Sequence, residues 1–120
     1  EQEQQAKIKE NEEKAANRAA NAAKWDEMLE SYNTVQSSNN YKILYGGVRI
    51  DGNRVVVLVT DYWNSVSKDI KTAYVNQCTT LWYGMCGARK LPVGMSFKFE
   101  HNASGRTVAT WDSNWGASIK

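Results

Sequence analysis

The spacing of apolar and polar residues changes near residue 40 and divides the chain into two parts. Residues 3–33 contain neither glycine nor proline and are rich in alanine, a composition that favours one long helix. An apolar stripe with helical spacing is present only in the last turns of this helix. The stripe consists of Trp25, Met28, Leu29, Tyr32 and Val35. We therefore expect this end of the helix to dock on the rest of the chain, whereas residues 1–20 project from it.

The chain after residue 40 alternates between β-branched runs and turn residues. Asp51-Gly52 between two such runs predicts a hairpin with a type I′ turn, because both central residues of that turn need positive φ. Gly46-Gly47 in the first run indicates a β-bulge or a close backbone approach. Residues 55–59 form an apolar run without alternation, which is typical of a central strand covered on both faces.

A second helix is expected next, with polar residues at its start and glycines at its end. Asn64, Ser65 or Ser67 would serve as its N-cap, and Gly84 and Gly87 would end it. Its apolar face, which would pack on the sheet, comprises Ile70, Ala73, Tyr74, Cys78, Leu81 and Trp82.

Three more strands are predicted after this helix. Residues 95–101 alternate between apolar and polar side chains, and residues 102–105 have the composition of a hairpin loop. Residues 106–111 would form the return strand and residues 115–119 a short last strand. We therefore predict an α+β fold with the order α-β-β-α-β-β-β. It combines a long N-terminal helix with a small, mostly antiparallel five-stranded sheet and one inserted helix.

The two parts carry opposite charge, which supports a division into an N-terminal helix, residues 1–36, and an α+β domain, residues 37–120. The net charge is −3 for residues 1–33 and +5 for residues 34–120. The chain as a whole carries +2, too little to indicate a nucleic-acid partner. One interpretation of the asymmetry is that the basic domain accepts the acidic helix, either of its own chain or of a second copy.

The two cysteines, Cys78 and Cys86, are eight residues apart. On one continuous helix they would be separated by about 12 Å along the axis, whereas bridged Cα atoms lie within about 7 Å of each other. We expect Gly84 to end the helix, so that the chain folds back and brings Cys86 beside Cys78. A disulfide is therefore predicted, with two reduced cysteines as the alternative. The bridge would indicate a periplasmic or cell-surface location, and reduced cysteines a cytoplasmic one.

Residues with catalytic or metal-binding chemistry are few. His101 is the only histidine, and a cysteine hydrolase would need Cys78 or Cys86 within hydrogen-bond reach of it. Two cysteines and one histidine also fall short of the four ligands of a structural zinc site. We therefore assign no catalytic residue, no metal and no cofactor from the sequence.

These observations favour a non-enzymatic protein-interaction module, which we interpret as the soluble domain of an exported or membrane-anchored bacterial protein. The chain has no apolar run long enough to cross a bilayer, and it begins at Glu1 rather than at methionine, which leaves room for a preceding anchor. The partner would be an unidentified protein, or a second copy bound through the N-terminal helix. A further hypothesis is that the last strand adds a partner strand at the sheet edge. The expected interaction residues are Trp63, Trp111, Trp115, Arg89 and Lys90, with Trp115 the best candidate for exposure.

Two alternatives remain open at this level. One is a small hydrolase or inhibitor domain that uses the loop from Gly84 to Pro92 together with His101. The other is a module that binds sugar or nucleic acid through exposed tryptophans. The first requires a free and reactive Cys86 thiol, and the second requires tryptophans that lie outside the core.

Overall fold

The computed structural model describes residues 22–91 and 96–120, and the prediction of a projecting helix over residues 1–20 lies outside them. It confirms the α+β fold and the predicted order of elements. A 3₁₀ turn between the first hairpin and the second helix is an addition to that order. The elements are α1 (22–36), β1 (Tyr45–Asp51), β2 (Arg54–Val59), the 3₁₀ helix (Asp61–Ser65), α2 (Lys68–Ala88), β3 (Ser96–His101), β4 (Thr107–Asp112) and β5 (Gly116–Ile119).

The five strands form one sheet in the order β1-β2-β3-β4-β5. All neighbouring strands are antiparallel except β2 and β3, which are parallel. A parallel pair needs a crossover connection, and α2 supplies it here. β1 and β5 are therefore the two edge strands of the sheet.

The first hairpin has the predicted bulge but a different turn. The register shifts between Tyr45 and Gly47, and a Cβ atom on Gly46 would lie 3.3 Å from the backbone oxygen of Leu58. Asp51 pairs with Arg54, so the two turn residues are residues 52 and 53. The first of them, a glycine, has a φ of +61°, and the second has no positive φ. This is the pattern of a type II′ turn, so the type I′ prediction is wrong.

Both helices pack on the same face of the sheet, where aromatic rings fill the core. The Trp82 ring centroid lies 6.0 Å from that of Trp25 and 5.2 Å from that of Tyr32, both on α1. It also lies 6.1 Å from the Phe97 ring on β3. Met28 and Tyr32 are fully buried, which confirms that this end of the N-terminal helix docks on the domain.

The end of the α1 stripe differs from the prediction. Val35 is 41% exposed, whereas the neighbouring Gln36 is fully buried. The Gln36 amide nitrogen donates hydrogen bonds to the Tyr32 hydroxyl, at 2.9 Å, and to the Cys78 sulfur, at 3.1 Å. A buried amide is tolerated because it has these partners.

The α2 helix begins as predicted but continues beyond its predicted end. The Ser67 hydroxyl caps it by accepting a hydrogen bond from the Ile70 amide at 3.3 Å. The helix then runs through Gly84 and Gly87 to Ala88, so the predicted glycine stop is wrong. Its buried face also differs in part, because Ile70 and Ala73 are exposed. The buried residues are Tyr74, Val75, Cys78, Thr79, Trp82 and Cys86.

The true end of α2 is a Schellman motif. The amide of Leu91 donates to the Cys86 oxygen at 2.9 Å, and Lys90 has a φ of +56°. Leu91 is buried and supplies the hydrophobic contact that accompanies this motif.

The continuity of α2 also decides the state of the cysteines. Cys78 and Cys86 lie about two helical turns apart, and both are buried and free. The predicted disulfide is therefore wrong, because Gly84 does not break the helix between them. The prediction of export loses the support that a bridge would have provided.

Candidate binding edge and basic pocket

β5 forms an edge whose outward backbone groups have no partner among the described residues. It pairs on one side only, with β4. The Lys120 amide donates to the Val108 oxygen at 3.0 Å, so alternation directs the Ser118 backbone groups toward β4 as well. The N–H and C=O groups of Ala117 and Ile119 therefore point away from the sheet. We call this row of groups the β5 edge.

Trp115 stands at the start of this edge and is 87% exposed, which confirms the prediction that this tryptophan lies outside the core. The Asp112 carboxylate holds the turn by accepting hydrogen bonds from the amides of Asn114 and Trp115, both at 2.8 Å. The other two tryptophans predicted to interact are placed differently. Trp63 is buried, and Trp111 is half-buried against Phe97 and Tyr83.

A concave site with positive charge lies at the opposite end of β5. It has a volume of about 230 Å³ and is formed by the 3₁₀ helix, the start of α2, the start of β4 and the end of β5. The Lys71 ammonium lies 5.4 Å from the centroid of the Trp63 ring. We call this site the basic pocket and define it by Trp63, Asn64, Lys71, Arg106 and Lys120.

The three cations of the basic pocket form no ion pair with a described carboxylate. The ion pairs of the described chain join Arg49 and Lys98 to Glu100 and Arg89 to Glu27. Lys71 belongs to α2, whereas Arg106 lies just before β4 and Lys120 just after β5. No local motif joins them, and so sequence reasoning missed the pocket.

His101 belongs to a hydrogen-bonded network next to this pocket. Its Nε2 atom lies 2.5 Å from the Asp61 carboxylate, and its Nδ1 atom lies 2.8 Å from the Ser104 hydroxyl. The Ser104 amide, which can only donate, also points at Nδ1 at 3.3 Å. Nδ1 is therefore an acceptor, and the ring proton lies on Nε2, facing Asp61.

The distances between Ser104, His101 and Asp61 resemble those of a catalytic nucleophile and its base. The other hydrogen bonds of the network, however, stabilise the loop between β3 and β4. The Arg106 amide donates to the Ser104 hydroxyl at 3.3 Å, and the Gly105 amide donates to the His101 oxygen at 2.8 Å. These donors are used within the loop, so they do not form an oxyanion hole. The network ties the hairpin to the 3₁₀ helix through Asp61.

The predicted hydrolase site at Gly84 to Pro92 is not assembled in the described part of the chain. Residues 84–88 belong to α2 instead of a loop. Burial raises the pKa of the Cys78 thiol to about 12 and also raises the pKa of Cys86. A nucleophilic cysteine needs a lowered pKa and access to substrate, and neither thiol has both.

Arg89 and Lys90, predicted as interaction residues, act at the end of α2. The Arg89 guanidinium donates to both carboxylate oxygens of Glu27 on α1, at 2.5 Å and 2.9 Å. These hydrogen bonds and that of Ser31 hold the pKa of Glu27 at about 2. Arg89 thus joins the basic domain to the acidic helix within one chain, whereas Lys90 is exposed.

Other classes of site have no support in the described residues. They contain no group of three or more metal-ligating side chains and no helix long and apolar enough to cross a membrane. Comparison with family models, curated proteins and solved structures finds no match to this chain.

Proposed function

We propose that this chain is a non-enzymatic binding module that accepts an extended segment of a partner protein as an added strand on the β5 edge. The observation that carries the proposal is the outward backbone row of Ala117 and Ile119. In strand addition such groups supply affinity through main-chain hydrogen bonds, and flanking side-chain contacts supply specificity.

The composition of β5 is compatible with this role. Residues 116–119 contain no charged side chain and no proline, and their pairing with β4 shows no register shift. Proteins commonly use charges, prolines and bulges to prevent unwanted pairing at an edge strand. An edge without them is available to a partner strand.

Charge complementarity favours an acidic segment as the occupant. Residues 34–120 carry a net charge of +5, and the basic pocket lies at the end of β5. The four residues of the strand span about 13 Å. A short extended segment can therefore contact Trp115 at one end of β5 and the basic pocket at the other.

Selection from a phage-displayed library of random peptides tests the proposal. We expect enriched peptides to be acidic, to have alternating β-branched residues, and to bind through the β5 edge. The decisive variant is Ala117→Pro, because it removes an outward N–H group and leaves the inward pairing of Ser118 with β4 unchanged. Binding should fall at least about tenfold, the effect of losing one or two main-chain hydrogen bonds.

Ala117→Val is the matched control, since it enlarges the side chain but keeps the N–H donor. It should bind the selected peptides as the unsubstituted chain does. Peptides that bind Ala117→Pro as tightly as the unsubstituted chain would contradict strand addition. If two copies of the chain instead pair through their β5 edges in a concentration-dependent way, the occupant of the edge is a second copy and not an acidic segment.

A further inference from the structure

The basic pocket has a feature that the strand-addition proposal does not explain. Three cationic residues, Lys71, Arg106 and Lys120, line one cavity, and none of them forms an ion pair with a described carboxylate. Like charges that line the same cavity repel one another, so an anion bound among them gains favourable electrostatic free energy. A concave site lined by charges of one sign attracts a ligand of opposite charge.

We propose that the basic pocket binds the carboxylate of an acidic side chain in the segment that pairs with β5, an inference that depends on the proposed function. The guanidinium of Arg106 can donate two parallel hydrogen bonds to a carboxylate. Lys71 and Lys120 supply ammonium donors, and Asn64 supplies an amide. The pocket would thus fix which residue of the segment lies at the end of β5.

The size and lining of the cavity favour one side chain over a larger ligand. Its volume of about 230 Å³ is below the roughly 300–1,000 Å³ of pockets that hold drug-sized molecules. The buried ring of Trp63 forms one wall and excludes water from that side. Charge-assisted hydrogen bonds are stronger beside such a wall than in open solvent, because the local dielectric is lower.

The experiment is a double-mutant cycle between the full chain and a peptide selected on it. One version of the peptide keeps the acidic residue, and a second version carries Asn in place of Asp, or Gln in place of Glu, at that position. We expect the amide peptide to bind the unsubstituted chain about tenfold more weakly, as for the loss of one charge-assisted hydrogen bond. On Arg106→Gln the two peptides should bind with nearly equal affinity, because the carboxylate has lost its main donor.

Lys42→Gln is the control for net charge. Lys42 is exposed in the segment before β1 and lies outside the basic pocket. On this variant the preference for the acidic peptide should remain about tenfold, as on the unsubstituted chain. A preference that falls equally on Lys42→Gln and Arg106→Gln would show a general charge effect and overturn the assignment.

The two proposals fail in different ways. If Ala117→Pro blocks binding but the acidic and amide peptides bind the unsubstituted chain equally, strand addition stands and the pocket assignment is wrong. If Ala117→Pro binds as the unsubstituted chain does, strand addition itself is wrong. The carboxylate assignment would also be overturned if inorganic phosphate shifted the NMR signal of the Trp63 indole while the acidic group of the peptide had no effect on peptide affinity.

Discussion

The two edges of the sheet, β1 and β5, are built differently. β1 has a bulge at Gly46-Gly47 and carries the charged residues Arg49 and Asp51. Trp25 and Leu29 of α1 also lie beside it and line a groove with Val48 and Ile50. β5 has no bulge and no charged side chain, and α2 packs against it only from the core side, so that its outward backbone row stays open among the described residues.

The contrast indicates different roles for the two edges. Bulges, charges and covering helices are devices that keep an edge strand from pairing with another chain. β1 has a bulge and charged side chains, and β5 has neither of them. Exposed Trp115 and the basic pocket instead flank β5. We infer that β1 is protected and that β5 is kept open for a partner.

Removal of the cover on β1 should have the largest effect. Met28→Ala deletes a fully buried side chain of α1 and should lower the free energy of unfolding by about 2–5 kcal/mol. Urea denaturation measures the change. Val35→Ala on the same helix is the control, because Val35 is 41% exposed, and its effect should stay within about 0.5 kcal/mol. Equal losses for both variants would mean that α1 does not dock as described.

Two single proline substitutions on β5 test which of its backbone N–H groups face β4 and which face outward. Ser118→Pro removes a donor that faces β4 and should cost about 1–3 kcal/mol of stability, because its acceptor loses a partner. Ala117→Pro removes a donor that faces outward and should cost clearly less. Denaturation curves of the two variants give the comparison. The reverse order would show that the outward and inward groups have been assigned incorrectly.

Stabilisation of α2 should leave the binding edge unchanged. Gly84 lies within the helix, and a Cβ atom added there meets nothing within 4 Å. Gly84→Ala should therefore raise stability by about 1 kcal/mol and the melting temperature by several degrees. Peptide affinity at β5 should not change. Gly52→Ala is the control and should lower stability, because the φ of +61° at Gly52 is unfavourable for any residue with a side chain.

The smallest effect concerns the ion pair between α1 and α2. Glu27 has a folded pKa of about 2 against an ordinary value of 4.5, so its contribution is complete above pH 4.5 and is lost as pH falls toward 2. Because the pair is exposed, solvent screening keeps the effect small. Thermal melts of the unsubstituted chain and Glu27→Gln should differ above pH 4.5 and converge near pH 2. A difference that persists unchanged at pH 2 would contradict this role of the Glu27 carboxylate.

Features encoded by neighbouring residues were predictable from the sequence. The Ser67 cap, the glycine bulge, the loop of residues 102–105 and the exposure of Trp115 all depend on local chemistry. The apolar stripe of α1 predicted its docking, although Gln36 and not Val35 faces inward at its end. Local preferences of this kind are kept in the folded chain because the tertiary contacts favour the same conformations.

The errors arose where tertiary packing overrides local propensity. Gly84 was expected to end α2, but burial of Trp82 and Cys86 on its inner face favours a continuous helix by more than the roughly 1 kcal/mol that a glycine costs. The wrong disulfide followed from that single error. The basic pocket could not be predicted, because Lys71, Arg106 and Lys120 meet only after α2, β4 and β5 have assembled.

Amide hydrogen exchange at β5, measured by NMR on the full chain with and without a selected peptide, tests the central claim most directly. We expect fast exchange at Ala117 and Ile119 in the free chain, slow exchange at Ser118, and protection of Ala117 and Ile119 once the peptide is bound. Exchange at Ala117 and Ile119 that stays fast in the peptide complex would contradict strand addition at this edge.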